Sequence, residues 1–264
     1  MTYLQSILLG AVQGLTEFLP VSSSGHLVLA RHWLGIDDIP VLYDILLHMA
    51  TLLAILIVFR SRVIEILRSL SRWVRRSGIE SDRENLRLFL VICLASVCTA
   101  ATGLAASEVY ERLLLSPGWV AVFFLCTAAI LVASHFFHGK KDYRAIGWRE
   151  AVITGAAQGI GVFPGISRSG ITISASLAAG MERRRAGEYA FLISIPAILG
   201  ALGLKIRDFE VMTVAPAVVA TGMLVSFAVG LASLFLLLRL IRQGRLYLFS
   251  FYLVPVAVAT LVLV

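Results

Sequence analysis

The sequence predicts an all-α integral membrane protein with six transmembrane helices and two re-entrant helical hairpins in an inverted-topology repeat. Three observations predict this fold class. The 264 residues are 59% hydrophobic and only 15% charged, whereas charged residues make up about a quarter of a soluble domain. Apolar runs long enough to cross a bilayer recur along the chain. Two further apolar regions resemble each other, and each is interrupted midway by proline, glycine and serine.

The apolar segments define the predicted elements. A span needs about 20 apolar residues to cross about 30 Å of hydrocarbon, and six segments qualify: 41–60, 87–107, 117–137, 186–206, 215–238 and 247–264. The regions 2–34 and 150–180 are broken by Pro20 and by Pro164 into halves that are too short to span. We expect both regions to be re-entrant hairpins, because broken backbone inside a membrane must be satisfied by protein or by a water-filled cavity.

The basic residues predict the orientation of the chain. The net charge is +7, and 18 of the 23 Lys and Arg residues fall in four short connections, at 60–87, 140–149, 183–185 and 239–245. All four lie on the cytoplasmic side only if both hairpins re-enter the membrane. The three spans between the hairpins then invert the second copy relative to the first. Because most of the basic residues lie in these connections, nucleic acid is excluded as the expected partner.

The two hairpins carry related sequences. GAVQGLTEFLPVSSSGH at 10–26 aligns without gaps on GAAQGIGVFPGISRSGI at 155–171, and eight of the 17 positions are identical. We predict that repeat one covers about 2–107 and repeat two about 150–238, within a single membrane domain over 1–264. Glu17 and His26 have Val162 and Ile171 as counterparts. The candidate acid and base therefore belong to the first copy alone.

The hairpin tips contain the candidate phosphate site. Glu17 and Arg168 are ionisable residues inside apolar hairpins, where such residues usually have a functional reason. We expect the tips to meet and to bind phosphate, because arginine offers a planar set of donors and serines at helix starts offer hydroxyl and backbone donors. The candidate phosphate ligands besides Arg168 are Gln13, Ser22, Ser24, Ser167, Ser169 and Thr172.

Hydrolysis also needs a nucleophile and a base within reach of each other. Ser23 or a neighbouring serine is the candidate nucleophile, and His26, three residues after Ser23, would face the same side of a helix. Glu17 could orient the histidine, hold a divalent cation or act as the base. A water molecule activated by His26 or Glu17 stays open as an alternative nucleophile. The predicted catalytic residues are therefore Glu17, Ser23, His26 and Arg168.

The motifs QGLTEFLPVSSSGH and PGISRSGIT resemble the two signature regions of the undecaprenyl pyrophosphate phosphatase family, also known for bacitracin resistance. The resemblance implies a homodimer in the bacterial cytoplasmic (inner) membrane, with its site open to the outer, periplasmic face. Its substrate would be the C55 polyprenyl diphosphate lipid used in peptidoglycan synthesis, on which cell shape depends.

The same resemblance implies roles for individual residues. It adds Gly165 to the phosphate-binding residues and implies a divalent cation, Mg²⁺ or Ca²⁺, at Glu17. Gln13 stands where some members of the family have glutamate. Asp44 and His48, in the next span, receive supporting roles.

Two alternatives to this family share features with the sequence. Secondary transporters also use inverted repeats with broken helices, so a polyprenyl-phosphate flippase or an ion-coupled carrier stays open as the alternative. Glu17 would then couple an ion and Arg168 would bind the lipid phosphate. A second membrane phosphatase superfamily has similar Ser-Gly-His and Ser-Arg elements, but it needs a further histidine after its Ser-Arg element. No histidine follows His138 in this sequence, so that superfamily is set aside.

Overall fold

The computed structural model describes residues 1–35, 41–113, 117–205 and 214–263. Within these ranges the chain is helical and contains no β-strand, which confirms the predicted all-α class. A short 3-10 helix, Leu246–Phe249, precedes the last α-helix. The α-helices of the described ranges are α1 (Tyr3–Phe18), α2 (Ser23–Leu34), α3 (Val41–Val58), α4 (Arg60–Val74), α5 (Asp82–Leu113), α6 (Pro117–Ser134), α7 (Trp148–Ile160), α8 (Arg168–Ala178), α9 (Arg183–Lys205), α10 (Pro216–Arg242) and α11 (Ser250–Leu263).

In the part of the chain that the structure describes, three helices are long and apolar enough to cross a membrane. They contribute Asp82–Ser107 from α5, Arg183–Gly203 from α9 and Pro216–Arg242 from α10. α3 and α4 together make a fourth candidate, although their axes are bent by 75° at the junction. α6 and α11, which correspond to the predicted spans 117–137 and 247–264, are apolar but shorter. Residues 206 and 264, at the ends of two predicted spans, lie outside the described residues.

Both apolar regions that the sequence divides at a proline are divided in the structure. α1 ends at Phe18 and α2 begins at Ser23, while α7 ends at Ile160 and α8 begins at Arg168. The proline in each break has no N–H group with which to continue the preceding helix. The two helices on either side of each break contact one another.

The two broken helices pack in corresponding ways. α1 lies against α10, and α7 lies against α5. Each contact is made by one copy of the repeated G-x-x-x-G sequence. A Cβ on Gly14 would lie 2.5 Å from the carbonyl oxygen of Ser226, and a Cβ on Gly155 would lie 2.4 Å from that of Ala95. Small residues at this spacing let two helix backbones approach closely, as is common between membrane helices.

We expect Gly14→Ala to destabilise the protein, because its methyl group would overlap the backbone of α10. Overpacking of this kind costs about 1–3 kcal/mol, so the midpoint of thermal unfolding in detergent should fall by several degrees. Gly200→Ala is the matched control, since no atom of the described residues lies within 4 Å of a Cβ added there in α9. Alanine at position 200 should leave the midpoint unchanged or raise it. Equal midpoints for the two variants would contradict the close approach of α1 and α10.

Candidate active site

The breaks in the two helices meet inside the protein. Ser22 Oγ accepts a hydrogen bond from the backbone N–H of Gly165 at 2.9 Å. A Cβ on Gly25 would lie 2.9 Å from the nitrogen of Gly165, and a Cβ on Gly170 would lie 3.1 Å from the Cβ of Pro20. Each break therefore contacts the start of the helix that follows the other break. The expected meeting of the two tips is confirmed.

A serine caps each helix that begins at the tips. Ser22 Oγ accepts from the N–H of Gly25 at 3.4 Å, and Ser167 Oγ accepts from the N–H of Gly170 at 3.0 Å. The two serines occupy equivalent positions of the repeat, and both act as N-caps. Ser22 has a φ of +70°. Such a backbone costs about 1–3 kcal/mol and persists only where contacts fix it, as the bonds of this hydroxyl to both tips do.

Glu17 is the central side chain of the site. Its side chain is 5% exposed, and Oε1 accepts from Nη2 of Arg168 at 2.6 Å. Oε2 accepts from Ser23 Oγ at 2.7 Å and from Gln13 Nε2 at 3.0 Å. Nε2 of His48 lies 3.5 Å from the same oxygen. A buried carboxylate needs these partners, because an unpaired charge removed from water costs several kcal/mol.

Ser23 and Arg168 are the first residues of α2 and α8, and they occupy equivalent positions of the repeat. Glu17 therefore joins the starts of two helices, one through each carboxylate oxygen. Free N–H groups at a helix start favour a negative charge. Because hydroxyl groups, backbone donors and a guanidinium converge at this place, it suits a phosphate group.

The other predicted phosphate ligands lie around this centre. Ser24 Oγ is 3.4 Å from the hydroxyl of Ser22, and Ser169 Oγ is 3.2 Å from that of Ser167. The tip hydroxyls therefore form one pair in each copy of the repeat. Thr172 lies one turn beyond the start of α8, is 1% exposed and lines a small internal cavity.

The structure does not bring His26 and Ser23 together. His26 Nδ1 donates to the carbonyl oxygen of Ser22 at 2.8 Å, and Nε2 lies 2.9 Å from the hydroxyl of Tyr252. In the neutral ring with a proton on Nδ1, Nε2 accepts from this hydroxyl. The ring also contacts Phe124, with 5.0 Å between centroids. The side chain that accepts a hydrogen bond from Ser23 is that of Glu17. The carboxylate, and not the histidine, is therefore placed to act as the base for this serine.

Sequence analysis missed two residues of the site, Thr127 in α6 and Tyr252 in α11. Thr127 Oγ1 donates to the carbonyl of Gly165 at 2.7 Å and accepts from the N–H of Ser167 at 3.1 Å. Gly165 has a φ of +100°, and a Cβ there would lie 2.5 Å from the carbonyl oxygen of Val120. Thr127 thus holds the second tip in a shape that requires glycine. The one signal available in the sequence was a hydroxyl group within an apolar helix.

Asp44 and His48, the two residues given supporting roles, have different partners in the structure. His48 reaches Glu17, and its Nδ1 donates to the carbonyl of Asp44 at 2.8 Å. The carboxylate of Asp44 instead forms an ion pair with Arg31 of α2. His48 therefore belongs to the site, whereas Asp44 ties α2 to α3.

The oxygen atoms at and around Glu17 decide whether a divalent cation fits this site. Among the described residues, no group of three or more His, Cys, Asp or Glu side chains is placed to hold a metal ion. Gln13 Oε1 is buried and has no hydrogen-bond partner in the described ranges. One carboxylate and one amide oxygen suit Mg²⁺ or Ca²⁺ when water and substrate phosphate complete the coordination. The side chains of Glu17 and Gln13 therefore fit a cation that binds together with substrate.

Comparison with known proteins agrees with these motifs. The family model described as bacitracin resistance protein BacA matches residues 6–259. An undecaprenyl-diphosphatase of Treponema denticola is 44% identical over 257 residues, which cover 97% of this chain and 95% of the relative. Proteins of the same name from Korarchaeum cryptofilum and Desulfosudis oleivorans are 40% and 41% identical, and the alignments cover 97% and 94% of both chains. The chain therefore belongs to the bacitracin resistance protein BacA family.

Proposed function

We propose that this protein hydrolyses undecaprenyl diphosphate to undecaprenyl monophosphate and inorganic phosphate. One observation carries the proposal: a single buried carboxylate, Glu17, contacts a serine hydroxyl and an arginine where two helices begin. The printed name of the relatives supplies the substrate. The product is the lipid carrier for peptidoglycan synthesis, on which cell shape depends. Its regeneration is consistent with the bacitracin resistance in the family's name.

Ser23 is the proposed nucleophile, with Glu17 as its base. Ser23 Oγ lies 2.7 Å from Glu17 Oε2, within range of direct proton transfer. A bond forms between Oγ and the terminal phosphorus, and the bond from phosphorus to the bridging oxygen breaks. Glu17 passes the serine proton to the departing monophosphate, then takes a proton from water as the water attacks the phosphoserine. It returns that proton to Ser23 when inorganic phosphate leaves.

Arg168 changes partner during this step. The charge of Glu17 holds Nη2 of Arg168 at 2.6 Å, and protonation of the carboxylate removes that charge. The guanidinium is then free to bond the phosphate oxygens, where negative charge remains. Stabilisation of this charge and correct positioning account for most of the catalysis in phosphoryl transfer. A water activated directly by Glu17 is the alternative nucleophile, and Arg168 would have the same role.

His26 acts in this proposal as a positioning residue. It donates to the carbonyl of Ser22 and accepts from Tyr252. Ser22 has the positive φ that turns the chain immediately before Ser23. The histidine therefore helps to fix the direction in which α2 begins, and with it the position of the serine hydroxyl.

A divalent cation, Mg²⁺ or Ca²⁺, would be held by Glu17 and by Oε1 of Gln13. Such an ion supplies positive charge to phosphate oxygens when it is bound. Gln13 Nε2 already donates to Glu17, so the amide is oriented by the same carboxylate. Its oxygen has no protein partner to lose among the described residues.

The proposed membrane arrangement is a single domain with six spans and an inverted repeat, in which both broken helix pairs are re-entrant hairpins. The corresponding packing of α1 on α10 and of α7 on α5 supports the repeat. α6 and α11 pack against each other and would complete the spans. With the basic connections in the cytoplasm, the site would open to the outer face of the cytoplasmic membrane. A homodimer in contact with membrane lipid completes the proposal.

We expect purified protein in detergent to release inorganic phosphate from undecaprenyl diphosphate without any membrane gradient. A flippase or ion-coupled carrier, which no contact in the described ranges favours, would release none. Phosphate release should fall when a chelator removes divalent cations and should recover when excess Mg²⁺ or Ca²⁺ is added. Undiminished release in chelator would remove the cation from the proposal and leave the residues in their roles.

Substitution of the three central residues should separate their roles. Ser23→Ala and Glu17→Gln should each lower kcat by about a hundredfold or more, because the nucleophile or its base is lost. Arg168→Lys should retain more activity than Arg168→Ala, since lysine keeps the charge and loses only the planar set of donors. Ser107→Ala, at an exposed hydroxyl in α5, is the control. Near wild-type turnover by Ser23→Ala would rule out the phosphoserine and identify water as the nucleophile.

Thr127→Val tests whether the second tip must be held from α6. Valine keeps the volume but leaves the carbonyl of Gly165 and the N–H of Ser167 unsatisfied, at about 1–3 kcal/mol for each buried group. We expect a lower unfolding midpoint and a higher KM. Thr260→Val is the control, because that threonine is also 1% exposed but bonds only the carbonyl of Val256 in its own helix. Indistinguishable variants would contradict the role of Thr127.

A further inference from the structure

A small cavity lies beside the pair formed by Glu17 and Arg168. Its volume is about 20 Å³. Ser22, Ser23 and His26 do not line it, so it is separate from the hydroxyl groups of the first tip. Its polar lining comes from α1, α7, α8 and α9, through Glu17, Gln158, Arg168, Ser169, Thr172 and Ser194.

The hydroxyl of Thr172 is unusual among the helical threonines of the described ranges. Its Oγ1 is buried and has no hydrogen-bond partner among the described residues. Thr127 bonds the second tip, and seven others donate to a carbonyl in the preceding turn of their own helix: Thr16, Thr51, Thr99, Thr102, Thr154, Thr221 and Thr260. Thr172 is therefore left with a free donor at the cavity.

Gln158 supplies the complementary group. Its Nε2 donates to Oγ1 of Thr99 at 3.1 Å and to the carbonyl of Ile193 at 3.2 Å. These bonds fix the orientation of the amide, because a flipped amide would place oxygen against the Ile193 carbonyl. Its Oε1 is then an acceptor, and this atom is buried and unpartnered in the described part of the chain. Gln158 is only 2% exposed.

The occupant of the cavity must accept a hydrogen bond from Thr172 and donate one to Gln158. Each unsatisfied group would otherwise cost about 1–3 kcal/mol. In the absence of substrate, an ion would add an unbalanced charge, because Glu17 and Arg168 already neutralise each other. A buried water molecule needs about 10–15 Å³ of cavity volume and two to four polar partners. Both conditions are met by the cavity volume and by the groups that line it.

We propose that this cavity is a binding site for one ordered water, held between Oγ1 of Thr172 and Oε1 of Gln158 and in contact with the Glu17–Arg168 pair. This inference deepens the proposed function, on which its catalytic consequence rests. Gln158 and Thr172 become positioning residues that act on Arg168 through the water. Thr172 then supports the guanidinium and does not itself bind phosphate.

The sign of a stability change distinguishes a hydrated cavity from a dry one. If water is bound, Thr172→Val removes one of its partners, and the unfolding midpoint falls. If the cavity is dry, the same change removes an unsatisfied hydroxyl and is neutral or stabilising. Ser174→Ala is the matched control, because Ser174 Oγ on the same helix is also buried and has no partner within the described ranges, but does not line the cavity. A midpoint for Thr172→Val at or above that of Ser174→Ala would overturn the proposal.

A double-mutant cycle tests whether one water serves both residues. Gln158→Leu should also lower the midpoint, and the double variant with Thr172→Val should lose little more than the worse single variant. Additive losses would indicate independent roles and would overturn the shared site. Thr172→Ser keeps the hydroxyl and should restore the midpoint. A high-resolution map of the wild-type protein should show one water peak between the two atoms, and an empty cavity would contradict it.

Turnover provides the catalytic readout. Loss of the water should lower kcat by about tenfold to a hundredfold through misplacement of Arg168, with little change in KM, and Thr172→Ser should recover most of the rate. An unchanged kcat in Thr172→Val would overturn the positioning role. The unfolding measurements need no substrate. A wild-type protein that releases no phosphate would therefore refute the proposed function and leave the water site to be judged by stability alone.

Discussion

The carboxylate of Glu17 is buried, with its side chain 5% exposed, so groups within the protein must compensate its charge. Its two oxygens take their donors from both copies of the repeat, Ser23 from the first and Arg168 from the second. Because these residues occupy equivalent positions, the repeat places the proposed nucleophile and a guanidinium group on the same carboxylate. A chain whose tips did not meet would leave Glu17 without its strongest partner. The meeting of the tips is thus required for stability as well as for chemistry.

That meeting depends on helix packing away from the proposed phosphate site. The repeated G-x-x-x-G sequence lets α1 approach α10, and α7 approach α5, until the helix backbones touch. Each of these helices ends in a break, so a displacement of its axis moves the tip. Thr127 then fixes the second tip from α6, and Tyr252 bonds the histidine of the first. Elements from both halves of the chain therefore determine the distances at Glu17.

The features that could be predicted from the sequence have local causes or follow from the repeat. Proline breaks and serine caps obey backbone chemistry, and the alignment of the two copies brings Glu17 and Arg168 together. The partner of Ser23 was not predictable from helical spacing, because the positive φ of Ser22 turns the chain where α2 begins. His26 consequently bonds that turn. Thr127 could not be distinguished from threonines that bond their own helix, since its partners come from a distant break.

The two copies have kept the same scaffold and divided the chemistry. Gln13 and Gln158 are equivalent, and each has a buried amide oxygen without a partner in the described ranges. In the first copy the amide nitrogen bonds Glu17. In the second copy Val162 replaces that acid, and the nitrogen bonds Thr99 and the carbonyl of Ile193. A second carboxylate there would repel both Glu17 and an anionic substrate. With one acid opposite one arginine, the pair is neutral until phosphate enters, and the guanidinium can then transfer to the new charge.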